Sequence, residues 1–451
     1  MFKTFLIFAV SLLTAAAPAP QLTEKLDAYL AAAVEVNHFS GTVLVARDGR
    51  PIFTKAYGMA SIELDVPNTT RTVFRLGSIT KGFTSAAVMM LQERGKLSVH
   101  DPICKFLSGC PAAWQPVTIR HLLTHTSGIP SYTNLPEYGK NMPLPMTHET
   151  MIARMRELPL DFPAGEQYRY SNTGYYLLGM IIELASGKTY ENFLQENIFT
   201  PLGMSSSGYD SSRRIIKNRA NGYSLQAGTL ANTFYLDMTI PFAAGALYSS
   251  VDDLLRWEQA LYTEKLLTRK SLDETFTPVI EGRGYGWGIR TRFERQVIEL
   301  DGGINGFSSS LSRFPDGRIT VIVLANNRDV PTRDVANDLS AIVFNAPYSM
   351  PAAHTAITLD AKTLERYAGQ YRSPAASPLS PNTVHTVTVQ NGRLMRRVND
   401  SPAIELHPES ETTFFLDVPG ILVSFELDAA GRATAMIVRR SGRETRAEKI
   451  K

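Results

Sequence analysis

The sequence contains little cysteine, no marked excess of either charge and no long apolar run after its first residues. Its 46 lysine and arginine residues are nearly balanced by 43 aspartate and glutamate residues, and the two signs are interspersed. This balance argues against a protein that binds nucleic acid or a charged membrane surface. No later stretch approaches the roughly 20 apolar residues that a membrane span needs, so we expect no stable membrane insertion.

Several common sequence signatures are also missing. The chain has no G-x-S-x-G segment, which removes the usual nucleophile elbow of the α/β-hydrolases. It has no evident phosphate-binding loop, dinucleotide fingerprint or EF-hand loop. Two cysteines without a convincing histidine partner do not make a zinc site. The reaction that we infer below from the candidate residues requires no metal and no organic cofactor.

The first residues have the pattern of a secretory signal peptide. Residues 1–17 carry Lys3, the apolar run Phe5–Val10 and then small residues, as such signals do. Pro18 and Pro20 would obstruct cleavage next to them, which favours a cut near Ala15 or Ala16. We expect an exported protein, periplasmic or secreted, without a lipid anchor because no cysteine lies at the cleavage region.

The two cysteines lie close together in the sequence. Cys104 and Cys110 flank a glycine-containing segment, and in an oxidising compartment they could form a local disulfide. Two reduced thiols are the alternative.

The stretch from Phe74 to Leu91 places a serine and a lysine one helical turn apart. Ser78 and Lys81 stand at the expected start of an apolar helix, so they should share one face. A serine hydroxyl becomes a good nucleophile when a neighbour takes its proton, and an amine among apolar residues loses its charge readily enough to do so. This S-x-x-K arrangement is typical of penicillin-recognising serine enzymes. A surface serine and lysine on an ordinary helix are the alternative.

A second candidate segment ends in a Y-x-N triplet before a helical pattern at Tyr175–Ser186. A Tyr170 phenol with a pKa lowered by a nearby ammonium can exchange protons with a serine, and the Asn172 amide can hold a substrate amide or ester. A packing tyrosine and a capping asparagine are the alternative. His121 and His125 are four residues apart, but a third metal ligand is missing nearby, which favours a structural role.

From about Phe39 to Asn327 the chain resembles the serine beta-lactamase-related family. That family includes class C beta-lactamases, D-alanyl-D-alanine carboxypeptidases, D-aminopeptidases and family VIII esterases. The matching segments are G-S-I-T-K at Gly77–Lys81, T-I-R-H-L-L-T-H-T-S-G at Thr118–Gly128, F-P-A-G-E-Q-Y-R-Y-S-N-T-G-Y at Phe162–Tyr175, A-A-G-A-L-Y-S-S-V-D-D-L at Ala243–Leu254 and D-G-G-I-N-G-F-S-S at Asp301–Ser309. The resemblance implies an α/β fold, with an antiparallel sheet covered by helices and a helical region.

The resemblance also implies roles for individual residues. Ser78, Lys81 and Tyr170 would be catalytic, and Asn172 would orient the substrate. Gly302 and Gly303 would let the strand approach closely enough for the Gly303 amide to join that of Ser78 in stabilising an oxyanion.

One position departs from the family pattern. The third family motif usually begins with Lys or His, whereas the aligned residue here is Leu300, or Asp301 if the alignment slips by one. Leucine cannot bind a substrate carboxylate, which disfavours carboxylate-bearing beta-lactams and peptides. Arg290 or Arg292 on the preceding segment could supply the missing cation beside Tyr170.

The chain is long enough for more than one domain. We expect a hydrolase domain over 21–345, a linker over 346–359 that is rich in proline and alanine, and a small domain over 360–451. Val384–Gln390 and Arg393–Val398 form a predicted hairpin over Asn391-Gly392, and three further short strands follow. They predict a small antiparallel barrel or sandwich. Leu364–Arg372 resembles the start of the lipocalin-like domains attached to some family members.

The predicted reaction is acyl transfer through a covalent ester of Ser78. Lys81 and Tyr170 would share the proton transfers, and either can be the main base because coupled groups titrate as a unit. We expect a small ester, amide or peptide substrate, with esterase or D-amino-acid peptidase activity favoured over efficient beta-lactamase activity. The alternative is a penicillin-recognising scaffold that has lost turnover and serves as a binding or regulatory protein.

Overall fold

The protein is described as a computed structural model. It covers residues 20–226, 228–374, 383–399, 401–440 and 443–450. The predicted signal peptide at 1–17 lies outside the described residues. The described chain forms an α/β domain followed by an antiparallel β-barrel, as the sequence predicts. No helix in the described ranges has both the length and the apolar character needed to cross a membrane.

The elements are numbered in chain order. The helices are α1 Pro20–Asn37, α2 Thr80–Glu93, α3 Ile119–Leu123, α4 Tyr138–Asn141, α5 His148–Met155, α6 Asn172–Ser186, α7 Tyr190–Leu194, α8 Thr200–Leu202, α9 Phe242–Gly245, α10 Val251–Ala260, α11 Arg269–Phe276, α12 Thr332–Phe344 and α13 Ala361–Glu365. The strands of the first domain are β1 Gly41–Arg47, β2 Arg50–Tyr57, β3 Met59–Ser61, β4 Val66–Pro67, β5 Phe74–Arg75, β6 Gly208–Tyr209, β7 Tyr223–Gln226, β8 Thr229–Asn232, β9 Leu247–Ser249, β10 Gly288–Arg292, β11 Arg295–Ile304, β12 Phe307–Phe314 and β13 Ile319–Ala325. The barrel strands are β14 Gly369–Arg372, β15 Val384–Gln390, β16 Arg393–Val398, β17 Ile404–Pro408, β18 Thr413–Phe415, β19 Ile421–Leu427, β20 Ala433–Arg440 and β21 Arg443–Lys449.

The main sheet of the first domain is antiparallel, with the strand order β10-β11-β12-β13-β1-β2. The N-terminal hairpin therefore pairs with the last strand of the domain, and Leu44 lies opposite Ile322. Asp48 and Gly49 both have positive φ in the hairpin turn, as a tight two-residue turn requires. All seven residues of β13 are buried, since helices cover both faces of this sheet.

Alternate residues of the central strands face different helical layers. Val43 and Val45 belong to the core formed with α1 and α12, whereas Leu44 and Ala46 belong to the core formed with α2 and the helical region. The one-residue alternation thus divides β1 between two cores. The second of these cores anchors α2, which carries Lys81 in its first turn and directly follows the turn that holds Ser78.

Helix α6, which follows the Y-x-N triplet, begins earlier than its apolar pattern indicates. It starts at Asn172, not at Tyr175, because the Ser171 side chain accepts a hydrogen bond from the Gly174 amide and is the N-cap. It ends where Gly187 adopts a left-handed conformation. The capping role considered for Asn172 is therefore filled by its neighbour, which leaves the Asn172 side chain available to the site.

The C-terminal strands form a closed barrel of eight strands, so the barrel alternative is confirmed. The strand pattern of the sequence missed β14, β17 and β21. The last of these reads R-E-T-R-A-E-K and has almost no apolar residues, so its pairing partners rather than its own hydrophobicity make it a strand. β14 pairs with both β15 and β21 and closes the barrel.

The two domains have separate cores but touch near the sheet. The barrel core around Tyr367, Tyr371 and Phe414 includes no residue of the first domain. At the contact, a Cβ added to Gly420 of the barrel would lie 3.2 Å from Pro331, just before α12. The barrel is thus placed beside the segment that follows β13.

A chain truncated at Pro347 is expected to remain folded and to keep part of its activity on small neutral esters. Both cores of the first domain lie before this residue, as do Ser78, Lys81 and Tyr170. Circular dichroism melting and ester hydrolysis, compared with the full chain, check this. An insoluble or wholly inactive truncated protein would mean that the barrel contact is essential to the first domain.

Candidate active site

Ser78 lies in a single helical turn, Gly77–Ile79, immediately before α2. Gly77 has a φ of +53°, and a Cβ added there would lie 2.8 Å from the Gly303 amide nitrogen. Only glycine fits this close approach without strain. The approach brings the start of α2 against the end of β11, so the Ser78 hydroxyl lies in the cleft between the sheet and the helical region.

Lys81 is buried on the first turn of α2 and its amine has three neighbours. Its Nζ lies 3.1 Å from Ser78 Oγ, 2.9 Å from Asn172 Oδ1 and 2.7 Å from the Ala244 carbonyl oxygen. Only 2% of the residue is exposed. Burial lowers the pKa of Lys81 well below that of an ordinary lysine, because no carboxylate compensates the cost of a buried charge.

Tyr170 approaches Ser78 from the other side. Its hydroxyl lies 2.6 Å from Ser78 Oγ. Desolvation raises the pKa of Tyr170 to about 12, against smaller lowering effects of the Ser78 hydrogen bond and the Arg283 charge. The lowered pKa that the sequence argument expected for Tyr170 is therefore wrong, because desolvation of the phenol outweighs the effects that lower its pKa. Since 40% of Tyr170 is exposed to solvent, water moderates the desolvation, and the phenol is neutral at neutral pH in either case.

His125 supports Tyr170 and does not reach Ser78. The imidazole packs against the Tyr170 ring, with centroids 4.5 Å apart, and its Nδ1 accepts a hydrogen bond from the Ser171 amide at 3.1 Å. Desolvation, together with the charges of Lys81 and Arg283, holds the pKa of His125 well below its usual value. The histidine is thus a neutral support for the residues around the Y-x-N triplet.

The second histidine of the predicted pair has a separate structural role. His121 Nδ1 accepts a hydrogen bond from the Thr118 amide at the start of α3, so the structural interpretation of the pair is favoured. Across the described residues there is no group of three or more His, Cys, Asp or Glu side chains suited to hold a metal ion. Cys104 and Cys110 are joined as a disulfide.

Asn172 connects the lysine to the wall of the cleft. Its Oδ1 accepts from Lys81 Nζ, and its Nδ2 donates to Thr133 Oγ1 at 3.2 Å. Its backbone amide donates to Ser131 Oγ at 3.0 Å. The asparagine is therefore held on three sides, and this arrangement orients the Lys81 amine.

The two glycines of the third segment face different surroundings. Gly303 lines the cleft beside Ser78, whereas a Cβ on Gly302 would lie 2.0 Å from the Leu76 carbonyl oxygen, behind the serine. Gly303 is therefore the one whose backbone can meet a substrate, and Gly302 permits β11 to pack against the turn before Ser78.

Leu300 occupies the place where family members usually carry a cation. It is 4% exposed and belongs to the core beside α2, where a Cβ on Gly82 would lie 2.7 Å from its side chain. Asp301 points to the other face of β11, where it accepts from Ser310 Oγ and lies 3.5 Å from Arg333. The aligned position is thus filled by apolar packing.

The arginines considered as substitutes are engaged elsewhere. Arg290 and Arg292 both bind the buried Glu299 carboxylate at 3.0 Å. A different residue, Arg283, packs its guanidinium on the Tyr168 ring, and its charge lowers the pKa of Tyr170. The sequence argument did not single out Arg283.

Ser78 opens onto a cleft of about 160 Å³. The residues around it come from the α2 turn, the helical region, the segment before α9 and the ends of β11 and β13. They are Gly77, Ser78, Tyr132, Thr133, Tyr138, Asn172, Leu236, Pro241, Ala244, Gly245, Gly303, Ile304, Asn305 and Arg328. Sequence reasoning assigned no role to Thr133, Ala244 or Arg328. The Ala243–Leu254 match was the only sign that α9 contributes to the site.

A serine hydroxyl within hydrogen-bonding distance of a buried lysine and a tyrosine, next to a close backbone approach, defines a serine hydrolase of the penicillin-recognising class. The chain belongs to the beta-lactamase family, which matches residues 26–345. A domain family of unknown function matches residues 353–449. The alternative of a scaffold without turnover gains no support from the geometry, because all three reactive side chains are in contact.

Two similar proteins match nearly the whole chain, and a third matches about three quarters of it. Penicillin-binding protein 4* of Bacillus subtilis is 31% identical, over 92% of this chain and 96% of that protein. The octameric penicillin-binding protein homologue from Pyrococcus abyssi has a TM-score of 0.67 and 26% identity, and covers 94% of this chain and 99% of its own. A D-stereospecific amidohydrolase from Streptomyces sp. has a TM-score of 0.63 and 26% identity over 73% of this chain and 100% of its own.

Proposed function

We propose that this protein is an exported hydrolase that cleaves small esters, amides or D-amino-acid peptides through an acyl-enzyme on Ser78. The observation that carries the proposal is the set of contacts around Lys81. A neutral amine has two N–H donors and one lone pair. Because the Asn172 and Ala244 oxygens accept the two donors, the lone pair is directed at the Ser78 hydroxyl.

The opposite pKa shifts of the two neighbours favour a division of roles. Lys81, with its pKa lowered by burial, takes the Ser78 proton as Oγ attacks the substrate carbonyl. The amides of Ser78 and Gly303 stabilise the resulting oxyanion. Tyr170, with its pKa raised, donates its proton to the leaving group, and the protonated Lys81 then returns a proton to the Tyr170 oxygen. Water then attacks the acyl ester by the reverse proton transfers and releases the acid.

The substrate class follows from the apolar Leu300 and from the similar proteins. Without a cation at this position, an uncharged leaving group is preferred. The 26% identical Streptomyces protein is a D-stereospecific amidohydrolase, which supports D-amino-acid amides as one substrate type. Export is supported by the signal-peptide pattern at 1–17 and by the Cys104–Cys110 disulfide, since such bonds persist in oxidising compartments.

A substrate panel tests this proposal. We expect hydrolysis of p-nitrophenyl acetate and of a D-amino-acid p-nitroanilide, with the L-enantiomer cleaved more slowly. A fluorophosphonate probe should label Ser78 covalently, as identified by peptide mass spectrometry. A protein that neither labels nor hydrolyses any member of the panel would contradict the proposal.

Catalytic efficiency on p-nitrophenyl acetate is expected to exceed that on the carboxylate-bearing beta-lactam nitrocefin. A charge-assisted hydrogen bond is worth roughly 10- to 150-fold in binding, and Leu300 cannot supply one. Leu300→His should narrow the difference by improving nitrocefin hydrolysis. Leu311→His is the matched control, because Leu311 is paired with Leu300 and is equally buried in the same core. A wild-type preference for nitrocefin would show that another residue replaces the missing cation.

A further inference from the structure

Arg328 is a cation that the proposed reaction does not use. It follows β13 and lines the cleft. Among the described residues that line the cleft, it is the one with a charged side chain. A Cβ added to Gly303 would lie 2.8 Å from its guanidinium carbon. The guanidinium is therefore stacked on the residue whose amide is proposed to bind the oxyanion.

The Arg328 guanidinium has no carboxylate partner within the described part of the chain. The charge of the adjacent Asp329 attracts Arg328, but the two form no salt bridge, and the Asp329 carboxylate accepts from the Leu225 amide at 2.7 Å. Two other arginines of the domain are paired: the buried Arg313 binds Glu258, and the partly buried Arg75 binds Asp210. A partly buried guanidinium that forms no salt bridge is costly, and an anionic ligand would reduce that cost.

The barrel adds a second positive charge. Arg440, at the end of β20, lowers the pKa of Arg328 through charge repulsion, after the larger effect of burial. The contact between Gly420 and Pro331 places the barrel beside this segment. Two guanidinium groups near each other favour an anion between or beside them.

The positions of Tyr170 and Arg328 around Ser78 indicate which part of the substrate meets Arg328. Tyr170 is the proposed donor to the leaving group and lies 2.6 Å from Ser78 Oγ, whereas Arg328 lies against Gly303. The leaving group therefore departs on the Tyr170 side. The acyl group extends past Gly303 into the cleft, where Arg328 lies.

We propose that Arg328, aided by Arg440, binds a carboxylate on the acyl part of the substrate. The preferred substrates are then esters or amides with an anionic acyl group and an uncharged leaving group. This inference rests on the proposed acyl-enzyme mechanism and adds the substrate class. It also gives the barrel a function, since one of the two cations comes from it.

Matched esters test this assignment in the full chain. Mono-p-nitrophenyl adipate and suberate carry a terminal carboxylate where p-nitrophenyl hexanoate and octanoate carry a methyl group. We expect wild type to have a higher kcat/KM for at least one diacid ester than for its neutral counterpart. Arg328→Met should lower that ratio by about 10- to 100-fold, the range of a charge-assisted hydrogen bond. Arg440→Met should lower it by a smaller factor, and Arg328→Lys should retain part of it.

The control is Arg439→Met, which removes the same charge from the neighbouring residue of β20. Arg439 pairs with Glu444, and its removal should leave the ratio unchanged. Raised ionic strength should reduce the wild-type preference. Equal losses on diacid and neutral esters in Arg328→Met would overturn the inference, because Arg328 would then only support Gly303. A wild type without preference overturns it too, while a wild type that hydrolyses none of these esters refutes the proposed function itself.

Discussion

Ser78→Ala is expected to lower hydrolysis of every substrate by about 10³-fold or more, since it removes the nucleophile of the covalent step. The Lys81 amine and the Tyr170 hydroxyl both lie within hydrogen-bonding distance of this oxygen. Among the described residues, Ser78 has the one hydroxyl that lies within hydrogen-bonding distance of both groups. Steady-state kcat/KM on p-nitrophenyl acetate and loss of fluorophosphonate labelling are the measurements.

The matched control for this variant lies on the same helix. Ser85 on α2 is buried, and its hydroxyl donates to the Gly82 carbonyl of its own helix, so Ser85→Ala makes the same chemical change away from the cleft. It should keep most of the activity. Near-wild-type turnover in Ser78→Ala would remove Ser78 from the mechanism.

Lys81→Met is expected to lower kcat/KM by about 10³-fold, because the lone pair that accepts the Ser78 proton is lost. Lys81→Arg should be nearly as slow, since a guanidinium stays protonated and cannot act as a base. Lys105→Met is the control: Lys105 is exposed and pairs with Asp101, so its loss should not change the rate. Near-wild-type activity of Lys81→Met would contradict this role of Lys81 and would indicate that Tyr170 is the base.

The pH profile gives a second readout of the same group. Because burial lowers the pKa of Lys81, a smaller fraction is protonated at each pH, and kcat/KM should rise with pH and level off below the pKa of an exposed lysine, about 10.4. The raised pKa of Tyr170 keeps the acid protonated, so no fall is expected at moderately alkaline pH. A rising limb centred at the ordinary lysine value would contradict a discharged Lys81.

Local patterns were sufficient for much of the fold. The hairpin of β15 and β16 followed from its Asn391-Gly392 turn and was predicted with the bounds observed, because strand alternation and turn residues act over a few positions. β21 could not be found this way, since its charged sequence is held as a strand by β14 and β20.

The sequence by itself determined the chemistry that the chain carries: the spacing of Ser78 and Lys81, the Y-x-N triplet, and the leucine in place of a cation. Only the tertiary structure decided which groups meet. The Ala244 carbonyl that orients Lys81, the His125 ring beneath Tyr170 and the Arg328 guanidinium over Gly303 come from separate parts of the chain. Burial, which sets the charges of Lys81 and Tyr170, depends on all the elements packed around them, and no local pattern encodes it.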